Sequence, residues 1–302
     1  MRNAPDRVPM EPAGLQIKVL PPHTLEPRIT PVDDHFMLAH HGIARCSAEG
    51  WELRIAGLDG EVCRIDLQRL RAMPSREVEV TLECAGNPVD PDKPTRIIGN
   101  ALWRGVPLRD VIGVLSAQGA RYVWIEGVDW GKVAGHEIAS YVKDTPLEKA
   151  LEPDVLLAYQ MNGQELSPEH GFPLRVIVPG YYGTNSVKWV RSVSLQAERP
   201  QGLYTTSLYN LPRDGVSRPV WEIEVNSCLL SPAAGAQLTP GPVELRGRTW
   251  GHEPTVRVEW SIDGGEWRPA SLHPREGRFG WQGFEATWQS IDPGEHEIAV
   301  RA

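Results

Sequence analysis

Between Arg76 and Cys84 the chain alternates. Val78, Val80, Leu82 and Cys84 occupy one set of positions, and Glu77, Glu79, Thr81 and Glu83 the other. Period two predicts a strand with one face toward a core and the other toward solvent. Cys84 then points inward, where the strand runs out into Ala85-Gly86-Asn87-Pro88. Trp51, Leu53 and Ile55 alternate with Glu52 and Arg54, which predicts a strand closing in the turn at Gly60. Residues 121–130 read as a strand entering a turn, and 173–183 as a strand ending at Pro179-Gly180. Leu108, Val111, Ile112 and Leu115 recur at helical spacing, predicting a helix over 106–119 with Gly119 as its stop. Residues 145–153 read as a short helix between prolines. Strands and short helices interleave without strict strand–helix–strand regularity, so the predicted class is α+β rather than a doubly wound sheet.

The pattern is different at both ends. Seven prolines between Pro5 and Pro31 predict that the first 50 residues, and residues 1–30 above all, form an irregular segment wrapped on a domain. After about residue 222 helical periodicity stops and short alternating strands follow one another. Val256, Val258, Trp260 and Ile262 lead into Asp263-Gly264-Gly265, a hairpin signal, and VELRGRTW and HEIAVRA read as further strands. Such spacing predicts a β-sandwich. The expected organisation is a catalytic domain over 1–221, a linker in 213–222, and a second domain over 222–302.

Composition narrows the function classes. A net charge of −8 gives no nucleic-acid footprint. No apolar run reaches the roughly 18 residues of a membrane helix, so membrane insertion is not expected. The N-terminus shows no apolar leader, so a cytoplasmic protein is expected, or a periplasmic one if a leader has been removed. Cys46, Cys63, Cys84 and Cys228 form neither a CxxC pair nor zinc-finger spacing. A functional thiol must therefore be argued from its neighbourhood.

Cys84 has two readings, a small buried hydrophobe or a thiolate held up to a ligand. The lack of bulk in Ala85-Gly86-Asn87 lets a backbone or a large cofactor approach. In HGFPLR, His170 and Arg175 suit an anion, although a solvated corner gives the same string. PGYYGTNSVKW, from Pro179 to Trp189, supplies two glycines, Thr, Asn, Ser and one Lys. It can line a phosphate or a pterin with backbone amides, or be a plain glycine-rich loop. Nucleophile-elbow, phosphate-loop, dinucleotide and HExxH patterns are absent.

Taken together, CAGN at 84–87, WRGVPLRDV at 103–111, LLAYQMNG at 156–163, HGFPLR at 170–175 and the SVKW that ends at Trp189 resemble the sulfite oxidase family of molybdopterin-dependent oxidoreductases. The part after residue 222 resembles that family's immunoglobulin-like dimerisation domain. The resemblance implies a molybdenum–molybdopterin cofactor, with Cys84 as the metal's thiolate ligand. It implies cofactor contacts from Phe36, His41, Asp129, Ser140, His170, Arg175, Ser186, Val187 and Lys188. It places a catalytic tyrosine at Tyr209, with Tyr204 as the competing candidate.

The implied chemistry is two-electron oxygen-atom transfer on a small sulfur-containing or other oxo-acceptor substrate. No haem motif is visible, so electrons are expected to pass to a separate carrier such as a cytochrome. A homodimer is expected, with deletion of 222–302 leaving a monomer that still binds cofactor. Ala39, Pro88 and Val89 stand where sulfite-oxidising members carry arginines or often do, and the chain stops at Ala302, short of a further one. A less charged substrate is therefore expected. A sandwich short of a strand at its C-terminal end is also expected. The alternatives are a sulfite dehydrogenase proper, a sulfoxide-type reductase, and a non-catalytic interaction module that keeps the fold.

Overall fold

The computed structural model describes residues 7–19, 21–87, 97–213, 215–290 and 292–302. Pro88 and Val89 lie outside the described residues. The chain is mostly β. Three α-helices lie among the described residues, Leu67–Ala72, Leu108–Ile112 and Leu147–Ala150, six, five and four residues long. Among the described residues no helix is long and apolar enough to cross a membrane.

Two sheets position the site. One is five-stranded, in the order Val142–Pro146, Tyr122–Gly127, Val190–Gln196, Glu52–Ala56, Val62–Asp66. Its Val190–Gln196 and Glu52–Ala56 strands run parallel. The other runs Gln164–Glu165, Leu156–Met161, Ile98–Pro107, Arg76–Glu83, with Arg175–Ile177 paired to Leu156–Met161. The inward faces of the five-stranded sheet and the three helices share a core that includes Leu53, Leu70, Val111, Val123, Ile125 and Val193. A second cluster gathers Phe36, Val80, Leu82, Cys84, Trp103 and Phe279.

The predicted strands at 51–60, 76–84, 121–130 and 173–183 and the helix at 145–153 are all present in part or whole. The helix expected over 106–119 is a single turn. Residues Val106 and Pro107 finish the preceding strand, and the chain leaves the helix at Gly113, once Leu108, Val111 and Ile112 are buried. The N-terminal segment is less irregular than its prolines suggest. Met10–Ala13 pairs with Gly42–Ala44, and Gln16–Lys18 with Met37–Ala39. The expected linker is partly a hairpin, Asn210–Arg213 against Val216–Pro219.

Beyond residue 222 two small sheets face each other. One runs Asn226–Ser231, Gly241–Trp250, Gln282–Ser290, Ser271–Leu272, and the other Arg268–Pro269, Glu259–Ile262, Ile298–Arg301. Val243, Leu245 and Trp288 of the first share a core with Trp260, Ile262, Ile298 and Val300 of the second. The hairpin expected at 263–265 joins Glu259–Ile262 to Arg268–Pro269.

From Glu79 onward the outward face of strand Arg76–Glu83 is not solvated. Glu79, Thr81 and Glu83 are buried because the C-terminal sheets cover them. Thr81 N donates to the Phe279 carbonyl (2.9 Å), which caps the free edge of the strand. The Trp250 indole donates to Glu83 Oε2 (2.9 Å), and Asn87 and Asn226 donate to Glu83 Oε1 (2.8 and 3.3 Å). Glu79 is paired with Arg28 and accepts from Asn100 Nδ2 (2.8 Å). Buried carboxylates persist only when donors of this kind replace water.

Candidate active site

Strand Arg76–Glu83 delivers Cys84 to the wall of a cleft. The chain turns at once after Cys84. Asn87 N donates to the Cys84 carbonyl (2.8 Å), and Gly86 N lies 3.4 Å from the sulfur. Cys84 is 8% exposed. Burial raises its thiol pKa, partly opposed by the Gly86 N–H. Without a positive partner the thiol stays protonated, and a soft metal is the kind of partner that reverses this.

The basic side of the cleft is built by two segments folded on each other. Gly171 has φ = 104°, a conformation that favours glycine. A Cβ there would lie 3.1 Å from the Cβ atoms of both Arg175 and Lys188, so the tight turn also makes room for both cations. Arg175 donates to the carbonyls of His170 (3.0 Å) and Ser186 (3.1 Å), and its guanidinium lies 4.7 Å from the Trp103 ring centre. Lys188 Nζ donates to the Glu169 carbonyl (3.0 Å). Neither cation has a carboxylate in ion-pair distance among the described residues. Burial depresses Arg175 to about 9 and Lys188 to about 7, and Arg175 adds to the lowering at Lys188. His170 is held far below its usual range by burial first, then by His35, Arg175 and Lys188. Ser186 ties the segment down through its hydroxyl, which accepts from Val178 N (3.1 Å).

The opposite wall is aromatic. Tyr209 Oη lies 2.7 Å from His40 Nε2. The His40 ring packs 4.9 Å from Tyr204 and 5.8 Å from Tyr141, centre to centre. Tyr209 has φ = 55°, a strained conformation for a non-glycine residue. Buried Lys143 bears on the same region, donating to the Tyr204 carbonyl (2.9 Å) and lying 5.3 Å from the Tyr209 ring centre.

Of the residues singled out from sequence, Cys84, Phe36, Asp129, His170, Arg175, Ser186, Val187, Lys188 and Tyr209 line this one cleft. Two do not. His41 is buried just behind it, its Nδ1 3.2 Å from Asp129 Oδ2 and its Nε2 2.8 Å from Tyr204 Oη. With both nitrogens engaged, His41 orients Asp129. Ser140 faces a separate groove and donates to Glu126 Oε1 (2.6 Å). The hydroxyl of Tyr204 is likewise committed to His41, so Tyr209 is the tyrosine of the cleft. Sequence reading missed His35, His40, Tyr141 and Thr184. His40 sits in a His-His pair of which the other member was chosen. His35 fits only because Gly99 has no side chain, since a Cβ there would lie 2.5 Å from its ring.

The family description "Oxidoreductase molybdopterin binding domain" matches residues 40–204. The chain is 34% identical to sulfite oxidase of Gallus gallus over 321 aligned positions, covering 93% of this chain and 69% of that protein. It is 32% identical to nitrate reductase [NAD(P)H] of Betula pendula, covering 91% of this chain but 36% of that much longer protein. The fold superposes on sulfane dehydrogenase SoxCD of Paracoccus pantotrophus with a TM-score of 0.79 and 26% identity, covering 96% of this chain and 80% of that one.

The residues present fit a molybdopterin. Three buried polar atoms without a partner among the described residues belong to the cleft lining: His35 Nε2, Asp129 Oδ1 and Arg175 Nε. Leaving such atoms unmade costs about 1–3 kcal/mol each, and a pterin bears donors and acceptors to satisfy them. Two cations, Arg175 buried and Lys188 half-buried, with no carboxylate in ion-pair distance among the described residues, suit a phosphate. Among the described residues no three His, Cys, Asp or Glu side chains are grouped to hold a metal unaided, whereas a dithiolene-bound metal asks the protein for one soft donor. A thiol, a cation pair with no ion-paired carboxylate among the described residues, and polar atoms without a partner there thus agree with the sequence matches, and the chain belongs to the molybdopterin-dependent oxidoreductases of the sulfite oxidase family.

Proposed function

We propose that Cys84 ligates molybdenum, that Arg175 and Lys188 hold the cofactor's phosphate, and that Asp129, His35 and the Ser186–Lys188 segment take the pterin. The observation that carries this reading is the convergence of Cys84 in one cleft with two cations that have no carboxylate in ion-pair distance among the described residues. When bound, the cofactor supplies two-electron redox chemistry, in this family usually oxygen-atom transfer. The protein's own part is to bind, orient and manage protons. His41 fixes the Asp129 carboxylate, Ser186 and Gly171 fix the cation pair, and Tyr209 offers its phenol inside the cleft, kept protonated by burial.

The substrate in this reading is a small sulfur compound or other oxo acceptor. The activities named for two relatives, sulfite oxidation and sulfane dehydrogenation, support sulfur. Met37, Leu38 and Ala39 line the cleft without a charge, which supports a substrate of low charge. Electrons pass to a separate carrier. The two small sheets after residue 222, with their shared core, support an immunoglobulin-like second domain that serves in dimerisation.

The test is metal and pterin content of protein made in a host that synthesises the cofactor, alongside Cys84→Ser. Near one molybdenum and one pterin per chain are expected in the parent, with metal or activity lost in the variant. A parent that stays empty while a control enzyme loads would overturn the reading in favour of a non-catalytic module.

A further inference from the structure

We propose that His40 selects the substrate, holding the Tyr209 phenol through Nε2 and offering Nδ1–H to an uncharged, hydrogen-bond-accepting substrate above Cys84. This rests on the reading of the cleft given above and deepens it. His40 and Tyr209 both line the cleft that holds Cys84, with Tyr209 Oη 2.7 Å from His40 Nε2. A phenol is a better donor than a neutral imidazole, so Tyr209 donates, Nε2 accepts, and the ring proton resides on Nδ1. Nδ1 has no partner among the described residues and remains free for a ligand.

The surroundings keep the ring neutral. Strand Met37–Ala39 brings only apolar side chains to this part of the cleft. Tyr141, Tyr204 and Tyr209 box the ring on its other sides. Among the described residues the charged groups that act on it are His41 and Lys188, and both oppose a proton on His40. Burial is the larger cause, and together they lower His40 to about 4. Arg175 and Lys188 are occupied by backbone carbonyls and the phosphate assigned to them. Nothing else among the described residues at His40 supplies the fixed charge that a divalent oxyanion requires. A neutral donor beside an apolar wall favours a substrate that brings an acceptor atom and no net charge.

The experiment uses holoenzyme with 15N-labelled histidine, as parent, His40→Asn, His40→Arg and Tyr209→Phe. Molybdenum content is measured first on each. In the parent the signal that His40→Asn removes should belong to a neutral ring from pH 6 to 8, protonated at Nδ1. The same signal should shift at Nε2 in Tyr209→Phe. Titration calorimetry with sodium sulfate is the second arm. His40→Arg should bind sulfate at least about tenfold more tightly than the parent, the worth of one charge-assisted hydrogen bond. A His40 ring charged at pH 7, a proton on Nε2, or no gain in sulfate affinity would overturn the proposal. With a loaded parent those results reject the role of His40 alone, whereas a parent without molybdenum rejects the cofactor reading and this inference with it.

Discussion

Replacing Lys188 by methionine tests whether the cleft is built for an anion. Lys188 lies half-buried beside Arg175, donates to the Glu169 carbonyl, and is depressed to about 7 by desolvation and by Arg175. Its folded-state pKa lies below its unfolded value. Above about pH 7 the unfolded chain therefore binds a proton that the cofactor-free native state does not. Stability then rises with pH between 7 and the unfolded lysine value of about 10.4, and is lost as pH falls toward 7. One proton gives a slope of about 1.4 kcal/mol per pH unit, so two units, from pH 7 to 9, give a ceiling of about 3 kcal/mol. The ammonium is partly open to water in the cleft, and that screening reduces the expectation to roughly 1–2 kcal/mol.

The assay is urea unfolding of cofactor-free parent and Lys188→Met at pH 7, 8 and 9. Subtraction of the variant removes other groups that titrate in this range, including Lys143, which burial lowers to about 8. The stability of the parent relative to the variant should rise by that amount across the range. Loading the cofactor should flatten the rise, because a phosphate beside Nζ returns the lysine to its charged form. Parallel pH profiles for the cofactor-free pair would refute the reasoning. They would mean that Lys188 is hydrated, and that the cleft carries no unpaired charge for a phosphate to neutralise.

Three further outcomes follow from the junction between the two halves. Phe279→Ala should cost about 3–5 kcal/mol in chemical unfolding, because Phe279 is 4% exposed in the cluster that contains Cys84. It should also lower molybdenum retention. Trp250→Phe keeps the packing but removes the N–H on Glu83 Oε2, and should cost about 1–3 kcal/mol in the same assay. Deletion of residues 222–302 should give an aggregating or molten product by near-UV circular dichroism and light scattering, because Glu79, Glu83 and the edge at Thr81 lose their cover. A folded, cofactor-binding monomer would show that this cover is dispensable.

Much of the site was legible because chemistry with strict demands leaves strict residues. Alternation alone placed Cys84 inward at a strand end, and HGFPLR and SVKW fold onto one turn as their Gly, Arg and Lys suggest. What was hidden depends on partners distant in sequence. Period two assigns Glu79 and Glu83 to the face opposite Cys84, but cannot say that Trp250 and Asn226 will cover that face. His40 and His41 are adjacent, and only their partners Tyr209 and Tyr204 decide which one meets the cleft. Ser140 faces a separate groove, where its hydroxyl goes to Glu126. Proline density masked four strands of three or four residues, each held by a pairing partner up to 34 positions away, as with Met10 and Ala44. Short strands carry too few alternations for a period to show.

One strand joins these observations. Arg76–Glu83 ends in the proposed metal ligand, and its side chains alternate between two interiors. Val80, Leu82 and Cys84 pack in the cluster that borders the cleft, while Glu79, Thr81 and Glu83 face the C-terminal sheets. Residue-by-residue alternation puts Glu83, with its three side-chain donors, directly before the thiol. A rotation of the strand that moved Cys84 would have to break those bonds in a place where water cannot replace them. The C-terminal sheets therefore fix the height and direction of Cys84 without touching the cleft. Substitutions at Trp250 or Asn226, far from any substrate, should show their effect first in how firmly the metal is held.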